Sequence, residues 1–282
     1  MCKTFGWECE DMTKDLTTGK IMPILVNFTV PLVLGNLFQL TYNAVDSIIV
    51  GHFVGKEALA AVGICNPVST LMILFLNGLC MGASILMGIQ YGAKDYETLH
   101  RQISTTLLSG AVFSFFLTLV CVIFAVPILL LLQVDPSIMD MTVQYLRIIF
   151  LGLMFTFLYN FFSSTLRALG DSASPLYFLI ISALLNIILD LVFIIRFQMG
   201  AKGAAVATVI AQGTSGVLCL LYIIAKVPVL HIKRDDLQVG GTIYSNQLRI
   251  GIPMALQYSI TAIGTMMVQS ALNMLGLSLI HI

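Results

Sequence analysis

Charged residues are scarce in this chain of 282 residues. Asp, Glu, Lys and Arg together make up 10% of it, 58% is hydrophobic, and the mean hydropathy is +0.97. A soluble domain carries about 25% charged residues, and its core has no room for this much apolar surface. The composition therefore excludes a soluble globular protein.

Motifs of several enzyme and metal-protein classes are also missing. The six cysteines form no CxxC pair and no metal-ligand spacing, so we expect buried free thiols rather than a metal or redox site. The chain has no aspartate-rich loop that would hold Mg²⁺ in a prenyltransferase. Residues 1–20 carry four acids and three lysines before any apolar run, which is not the pattern of a secretory signal peptide.

Long uncharged runs occupy most of the chain instead. Each run approaches or exceeds the roughly 20 residues that an α-helix needs to cross a bilayer. We predict an all-α polytopic membrane protein with seven spans, at residues 23–51, 58–90, 103–132, 139–165, 175–195, 202–225 and 246–276.

The distribution of basic residues predicts the orientation, because cytoplasmic loops are enriched in Lys and Arg. With the N-terminus inside, the outside holds Lys56, Arg196 and Lys202, and Arg147 lies just within the fourth span. The cytoplasmic side then holds Lys3, Lys14, Lys20, Lys94, Arg101, Arg167, Lys226, Lys233, Arg234 and Arg249. We therefore predict a multi-pass protein of the cell (plasma) membrane with a cytoplasmic N-terminus.

Two aspartates stand nearly alone inside the apolar runs. The uncharged residues 21–45 lead into Asp46, and residues 172–189 lead into Asp190. An ionised carboxylate at the centre of a bilayer costs at least about 2.5 kcal/mol, so such residues usually mark an ion or substrate pathway.

Counting along the helices places several polar groups at one depth. Asp46 lies seven residues before Phe53, Asp190 six before Arg196 and Thr208 six after Lys202, which mark the outer ends of their helices; each distance is about 9–10 Å at 1.5 Å per residue. Tyr42 and Asn186 precede the two aspartates by four residues and therefore share their helix faces. The sequence predicts one polar cluster in the outer half of the membrane.

Two chemical uses of this cluster stay open. Carboxylate, amide and hydroxyl oxygens suit a small hard cation, and the same carboxylates could instead share or exchange a proton. A purely structural role, in hydrogen bonds between helices, fits the matched depths and partners less well. Asn36, Gln39 and Asn43 add polar character to the first span. We expect the two helix faces that carry the aspartates to look into a cavity or a helix interface, because lipid does not satisfy polar groups.

Proline and glycine interrupt the apolar runs. Pro31 removes a backbone hydrogen bond inside the first span, which predicts a kink that is either static or used in gating. The pairs Gly78/Gly82 and Gly88/Gly92 have the small-xxx-small spacing that lets membrane helices approach closely.

A loose internal repeat suggests a second unit. Residues 248–256, around Pro253, parallel residues 25–34, around Pro31, since both place a proline shortly after the start of an apolar helix. In the second copy, Val268 stands where Asp46 stands in the first, so the acidic site belongs to the first unit only. We expect a chain cut short within the second unit, with residues 1–11 and the last few residues as extensions outside the natural protein.

Segments along nearly the whole chain resemble one transporter family. FQLTYNAVDSIIVGHFVG at residues 38–55, followed by ALAAVG at 58–63, resembles the first helix of multidrug and toxic compound extrusion (MATE) transporters. YGAKD at 91–95, RALGDS at 167–172 and GAKGAAVATV at 200–209 resemble later segments of the same family, in the same order.

The resemblance implies a domain organisation and a function. It implies a cytoplasmic segment (1–20), the six-helix N-lobe of a twelve-helix transporter of the MOP superfamily (21–225), a cytoplasmic inter-lobe loop (226–245) and the start of the C-lobe with the seventh helix (246–282). Alternating access in a monomer would export drugs and organic cations, driven by inward flow of Na⁺ or H⁺. No other cofactor and no nucleic-acid partner is implied.

The resemblance also implies roles for the polar cluster. In the DinF-like branch of the family, Asp46, Asn186, Asp190 and Thr208 match the positions of the N-lobe cation site, and Tyr42 matches a tyrosine that joins the same network.

Two other functions are open alternatives. A lipid-linked oligosaccharide flippase of the same superfamily would line its cavity with arginines, whereas only Arg147 is a candidate here. An intramembrane aspartyl protease would use two carboxylates on separate helices, but Asp190 lacks the Gly-x-Gly-Asp context of such proteases. We therefore expect a secondary transporter rather than an enzyme.

Overall fold

The computed structural model describes residues 20–230 and 240–274, and nearly all of these residues are helical. Several sequence predictions lie outside the described residues. These are the predictions for most of the N-terminal segment, for the end of the chain, and for Cys2, Cys9, Lys3, Lys14, Lys233 and Arg234. Within the described ranges, the predicted free thiols Cys65, Cys80, Cys121 and Cys219 are buried and form no disulfide.

Long helices follow one another with short connections. The described α-helices are α1 (Ile21–Phe53), α2 (Lys56–Gly92), α3 (Tyr96–Leu131), α4 (Pro136–Leu151), α5 (Leu153–Ala168), α6 (Ala173–Leu191), α7 (Ala201–Lys226) and α8 (Gly241–Met274). A π-helical turn, Val192–Arg196, continues α6, and a 3-10 turn, Pro228–Leu230, follows α7.

The predicted spans are confirmed with one correction. Six of these helices, including α6 with its π-helical turn, are each long and apolar enough to cross a bilayer. The fourth span, predicted as one helix at 139–165, is instead made of α4 and α5, which meet at a bend of 41°. Gly152 at the bend lies against α7, where an added Cβ would come within 2.5 Å of Val209 Cγ2. A glycine is therefore needed for α7 to approach the bend this closely.

Helix ends extend beyond the apolar runs. Helix α3 begins at Tyr96 rather than at residue 103, because Asp95 caps it by accepting a hydrogen bond from the Thr98 backbone N–H at 3.1 Å. The Glu97–Arg101 ion pair at 2.8 Å, one turn apart on the exposed side, supports the same segment. Helix α8 begins at Gly241, inside the predicted inter-lobe loop 226–245. Hydropathy alone does not reveal such polar helical turns.

Helix α2 lies at the centre of the bundle, in contact with α1, α3, α4, α5 and α8. Helices α6 and α7 pack against each other, and α1 packs mainly on α6. The buried side chains between them are mostly apolar. Because lipid tails are as apolar as these side chains, close packing and interhelical hydrogen bonds, rather than removal from water, hold the helices together.

The glycine spacing on α2 predicts close packing correctly for one of the two pairs. A Cβ on Gly78 or on Gly82 would come within 2.3 or 2.5 Å of a Cα of α8. The prediction is wrong for the second pair, since a Cβ on Gly92 would meet nothing within 4 Å.

Both prolines that define the repeat lie within continuous helices. Helix α1 runs unbroken through Pro31, and α8 runs unbroken through Pro253. The two helices are also of similar length, with 33 and 34 residues. The role of Pro31 in gating stays a prediction.

Candidate functional site

Asp46 and Asp190 lie side by side in the packed interior. Helix α1 carries Asp46 and helix α6 carries Asp190, and these two helices pack against each other. The carboxyl groups face one another, and the residues are only 9% and 0% exposed. The structure therefore brings together the two acids that the depth count along the sequence placed at one level.

The polar atoms of this pair have almost no hydrogen-bond partners among the described residues. Both carboxylate oxygens of Asp190 and Oδ1 of Asp46 are fully enclosed without one, although the two side chains approach each other. The side-chain oxygen and nitrogen of Asn186 are also buried without a hydrogen-bond partner among the described residues. Native proteins leave very few buried polar groups unpartnered, so these atoms call for a further partner.

Two aspartates at helix N-termini, unlike the buried pair, accept hydrogen bonds from the protein. Asp95 accepts hydrogen bonds from Thr98, and Asp135 accepts one from the Ser137 backbone N–H at 2.8 Å. These bonds hold the pKa of each of these two exposed carboxyl groups below its usual value. Asp46 and Asp190 have no comparable donors, and within the described ranges neither forms an ion pair with a Lys or Arg.

A small cavity adjoins the residues one turn from the aspartates. Its volume is about 10 Å³, which is about the room that a single water molecule needs. The residues that line it belong to α1, α6 and α7 and are Tyr42, Leu179, Ser182, Ala183, Asn186, Thr208, Ala211 and Gln212. Three of the predicted site residues thus share one cavity.

The hydroxyl of Thr208 already donates a hydrogen bond within its own helix. Its Oγ1 donates to the backbone oxygen of Ala204 at 3.0 Å, within its own helix. A hydroxyl oxygen keeps acceptor capacity after donating, so Thr208 presents only an electron-rich oxygen to the cavity. That arrangement suits a cation or a proton donor rather than an anion.

Sequence reasoning missed two residues that belong to the site. Tyr145 of α4 is buried in the neighbourhood of both aspartates. Gln212 lines the cavity beside Tyr42. Gln212 follows Thr208 by four residues, the same spacing that joins Tyr42 to Asp46, so this rule could have found it. The sequence gives no comparable signal for Tyr145, because α4 carries none of the predicted site residues.

Other predicted polar positions do not join the site. Asn36, Gln39 and Asn43 are exposed on α1, and these side chains face away from the bundle. Arg147 is also exposed and does not line the cavity. Pro31 lies 15 residues before Asp46, which is about 22 Å along a helix.

The site does not have the composition of a transition-metal centre. No group of three or more His, Cys, Asp or Glu side chains that could hold a metal ion occurs in the described ranges. Two carboxylates with neutral amide and hydroxyl oxygens make a set of hard oxygen donors instead.

Comparison with known proteins identifies the family. Residues 31–192 match the family model described as MatE. The chain is 33% identical over 271 residues to the probable multidrug resistance protein YpnP of Bacillus subtilis (strain 168), covering 93% of this chain and 58% of YpnP. It is 24% identical over 236 residues to the multidrug export protein MepA of Staphylococcus aureus (strain bovine RF122 / ET3-1), covering 84% of this chain and 52% of MepA.

Solved structures agree with the fold. A crystal structure of MATE in the bent conformation has 25% identity and a TM-score of 0.78, over 83% of this chain and 52% of that one. An outward-facing multidrug resistance MATE transporter of the MOP superfamily has 26% identity and a TM-score of 0.74, also over 83% and 52%. The chain thus spans about half the length of the relatives it matches, and its helices form a six-helix N-lobe followed by a seventh helix. These matches, together with the helical membrane fold, show that the chain belongs to the MatE family of multidrug and toxic compound extrusion transporters.

Proposed function

We propose that the protein exports drugs or organic cations by alternating access, driven by inward movement of Na⁺ or H⁺. Membership of the MatE family supports a transport function, and the names of YpnP and MepA concern multidrug resistance and export. Because the chain spans about half the length of these relatives, transport activity is itself part of the proposal.

The observation that carries the coupling proposal is the unpartnered pair Asp46 and Asp190. Two facing carboxylates in a site shielded from water repel each other, and their ionised forms are costly without a positive partner. Binding of one Na⁺ or H⁺ would relieve both costs. Asp46, Asn186, Asp190 and Thr208 would hold Na⁺ through oxygen atoms, and Tyr42 would support the same network.

Helix α1 would connect the coupling site to the substrate pathway. Its face opposite the bundle exposes Asn36, Gln39 and Asn43, and lipid would leave such side chains unsatisfied. We place this face against a water-filled cleft through which the substrate passes. Neutralisation of Asp46 would then change how α1 packs on α6, and Pro31 would allow the helix to bend as it moves.

The charge distribution supports a cytoplasmic N-terminus. The ends of α3 and α7 lie together, since His100 Nε2 is 2.7 Å from the backbone oxygen of Val229. The start of α8 lies at the same end, where the Gly240 N–H donates to Thr105 Oγ1 at 3.4 Å. Described basic residues at this end are Lys20, Lys94, Arg101, Arg167, Lys226 and Arg249, against Lys56, Arg196 and Lys202 at the other.

Neither alternative function gains support from the site. A flippase would have to bind an anionic pyrophosphate headgroup, which two acidic side chains would repel. Arg147, the one candidate arginine, is exposed on α4. An aspartyl protease needs room for a peptide beside its carboxyls, whereas the neighbouring cavity holds about 10 Å³.

The test is drug efflux from proteoliposomes that contain the full-length transporter, with Na⁺ and H⁺ gradients imposed separately. We expect Asp46→Asn and Asp190→Asn to abolish efflux driven by the coupling ion. The matched control is Asp140→Asn, at an exposed position where the carboxylate only accepts from Gln144, and it should retain efflux. Unchanged gradient-driven efflux in both site variants would refute the proposal.

A further inference from the structure

A second, larger cavity lies between α2, α3, α5 and α8 and shares no residue with the coupling site. Its volume is about 160 Å³. Aromatic rings from all four helices line it, namely Phe75, Phe113, Phe157 and Tyr244. The rings of Phe75 and Phe113 pack against each other with centroids 5.9 Å apart. None of the described residues that line this cavity is charged.

One wall of the cavity is polar and offers hydrogen-bond acceptors. Ser109 Oγ donates to the backbone oxygen of Thr105 at 2.5 Å, and Thr106 Oγ1 donates to that of Gln102 at 2.7 Å. Because both hydroxyl hydrogens are used within α3, the oxygen atoms keep only acceptor capacity. Thr106 Oγ1 already accepts from Gln102 Nε2 at 3.3 Å, so Ser109 Oγ is the more available acceptor. Gln247 of α8 also lines the cavity. Its Oε1 already lies 3.1 Å from Thr106 Oγ1.

The size and chemistry of the cavity restrict its ligand. A protein cavity of about 150 Å³ lined by apolar side chains is large enough to bind benzene. A ligand that also carries an O–H group would find an acceptor at Ser109. An ammonium group would lose its hydration here with no carboxylate to replace it, and attraction to the rings offsets only part of that cost.

We propose that this cavity is a binding site for uncharged, single-ring aromatic molecules that carry a hydroxyl group, such as simple phenols. The site differs in chemistry from the acidic coupling site and does not rest on the proposed transport function. Its walls come from both the N-lobe and α8, so a bound phenol would contact the two parts of the chain at once.

Binding can be measured with 4-fluorophenol by ¹⁹F NMR on the purified chain in detergent micelles. We expect a saturable change in the ¹⁹F signal with wild-type protein and at least about tenfold weaker binding to Ser109→Leu, whose side chain would fill the cavity. Val112→Leu is the matched control, because Val112 lies on the same helix and is 71% exposed. Non-saturable partitioning that is equal in all three proteins would overturn the proposal.

The chemical class of the ligand is tested by competition. An excess of 4-fluorobenzylammonium, a cation of similar size, should leave 4-fluorophenol binding unchanged. Equal displacement by this cation and by unlabelled phenol would contradict the assignment to uncharged ligands. Asp190→Asn should bind 4-fluorophenol like the wild type even if it loses coupled transport, which separates this site from the proposed function.

Natural cysteines locate the ligand without any substitution, so the test remains valid if Ser109→Leu does not fold. Cys80 lines the cavity, whereas Cys121 on α3 is equally buried and does not. We expect 4-fluorophenol to slow alkylation of Cys80 by N-ethylmaleimide at least about threefold relative to Cys121, as read by peptide mass spectrometry. An unchanged ratio of the two rates would show that the ligand binds elsewhere.

Discussion

Gly78 of α2 lies so close to Ala255 of α8 that a Cβ on Gly78 would come within 2.3 Å of the Ala255 Cα. One turn further along, a Cβ on Gly82 would come within 2.5 Å of the Gly251 Cα. Two successive contacts of this kind bring the backbones of α2 and α8 together without intervening side chains. The N-lobe and the helix that follows it therefore meet at a surface made of small residues.

Gly78→Ala should weaken this contact. The new methyl group has no room, so α8 must shift, and overpacking of this kind costs about 1–3 kcal/mol of unfolding free energy. Gly264→Ala is the matched control on α8, because a Cβ there would meet nothing within 4 Å. It should be neutral or stabilising by up to about 1 kcal/mol, owing to helix propensity. Denaturation in mixed micelles measures both, and an equal effect of the two changes would argue against close α2–α8 packing.

A buried hydrogen-bond cluster should also stabilise the contact with α8. Gln247 Oε1 accepts from Gln102 Nε2 at 3.2 Å and lies 3.1 Å from Thr106 Oγ1. Gln247→Leu removes this acceptor and leaves Gln102 Nε2 with Thr106 Oγ1, at 3.3 Å, as its acceptor, whereas Gln102→Leu combined with Gln247→Leu removes both partners. We expect a coupling energy of about 0.6–2 kcal/mol between the two positions, as for other hydrogen bonds within membranes. A double-mutant cycle of unfolding free energies measures it, and strictly additive effects would contradict direct pairing.

The cap at the start of α3 predicts a local pH dependence. Hydrogen bonds from Thr98 lower the pKa of Asp95 below its unfolded value, so the ionised form is favoured by folding. The cap therefore stabilises the first turn above the unfolded pKa of about 3.9 and is lost as the pH falls through the lower folded value. The protection factor of the Thr98 amide, which is the exchange rate of an unstructured peptide at the same pH divided by the observed rate, should fall in that acid range, and Asp95→Ala should already show the lower protection at neutral pH. Asp140→Ala should leave exchange at Thr98 unchanged.

Much of the fold was predictable because membrane spans depend on composition. Uncharged runs gave seven spans, and the structure supports them with six long helices and one bent pair. The bend between α4 and α5 was not predictable. A hydropathy average does not distinguish Gly152 from its neighbours, and it contains no information on the packing of Val209 against this glycine. The start of α3 was missed for a related reason, because Asp95 stabilises turns outside the apolar region.

The candidate site was predictable where a helix keeps its own register. Asp46 with Tyr42, and Asp190 with Asn186, could be placed on common faces by counting four residues along one helix. Tyr145 could not be placed, because its approach to the aspartates requires the relative positions of three helices. Asn36 shows the limit of the same reasoning, since a polar residue in a span must avoid lipid but the sequence does not say which partner it faces.

Asp190→Asn should change how the protein responds to cations. Wild-type protein at alkaline pH holds two facing carboxylates, so we expect NaCl to raise its melting temperature if Na⁺ is the coupling ion. The gain should correspond to about 1–3 kcal/mol, as for a buried charge that acquires a partner. Choline chloride at equal ionic strength separates specific binding from screening. In Asp190→Asn one of the two charges is gone, so NaCl and choline chloride should act alike.

If protons are the coupling ion, lower pH rather than Na⁺ should stabilise the wild type, and this response should again be weaker in the variant. A wild type that responds to neither Na⁺ nor pH, or a variant that responds like the wild type, would contradict the assignment of Asp46 and Asp190 as the coupling site.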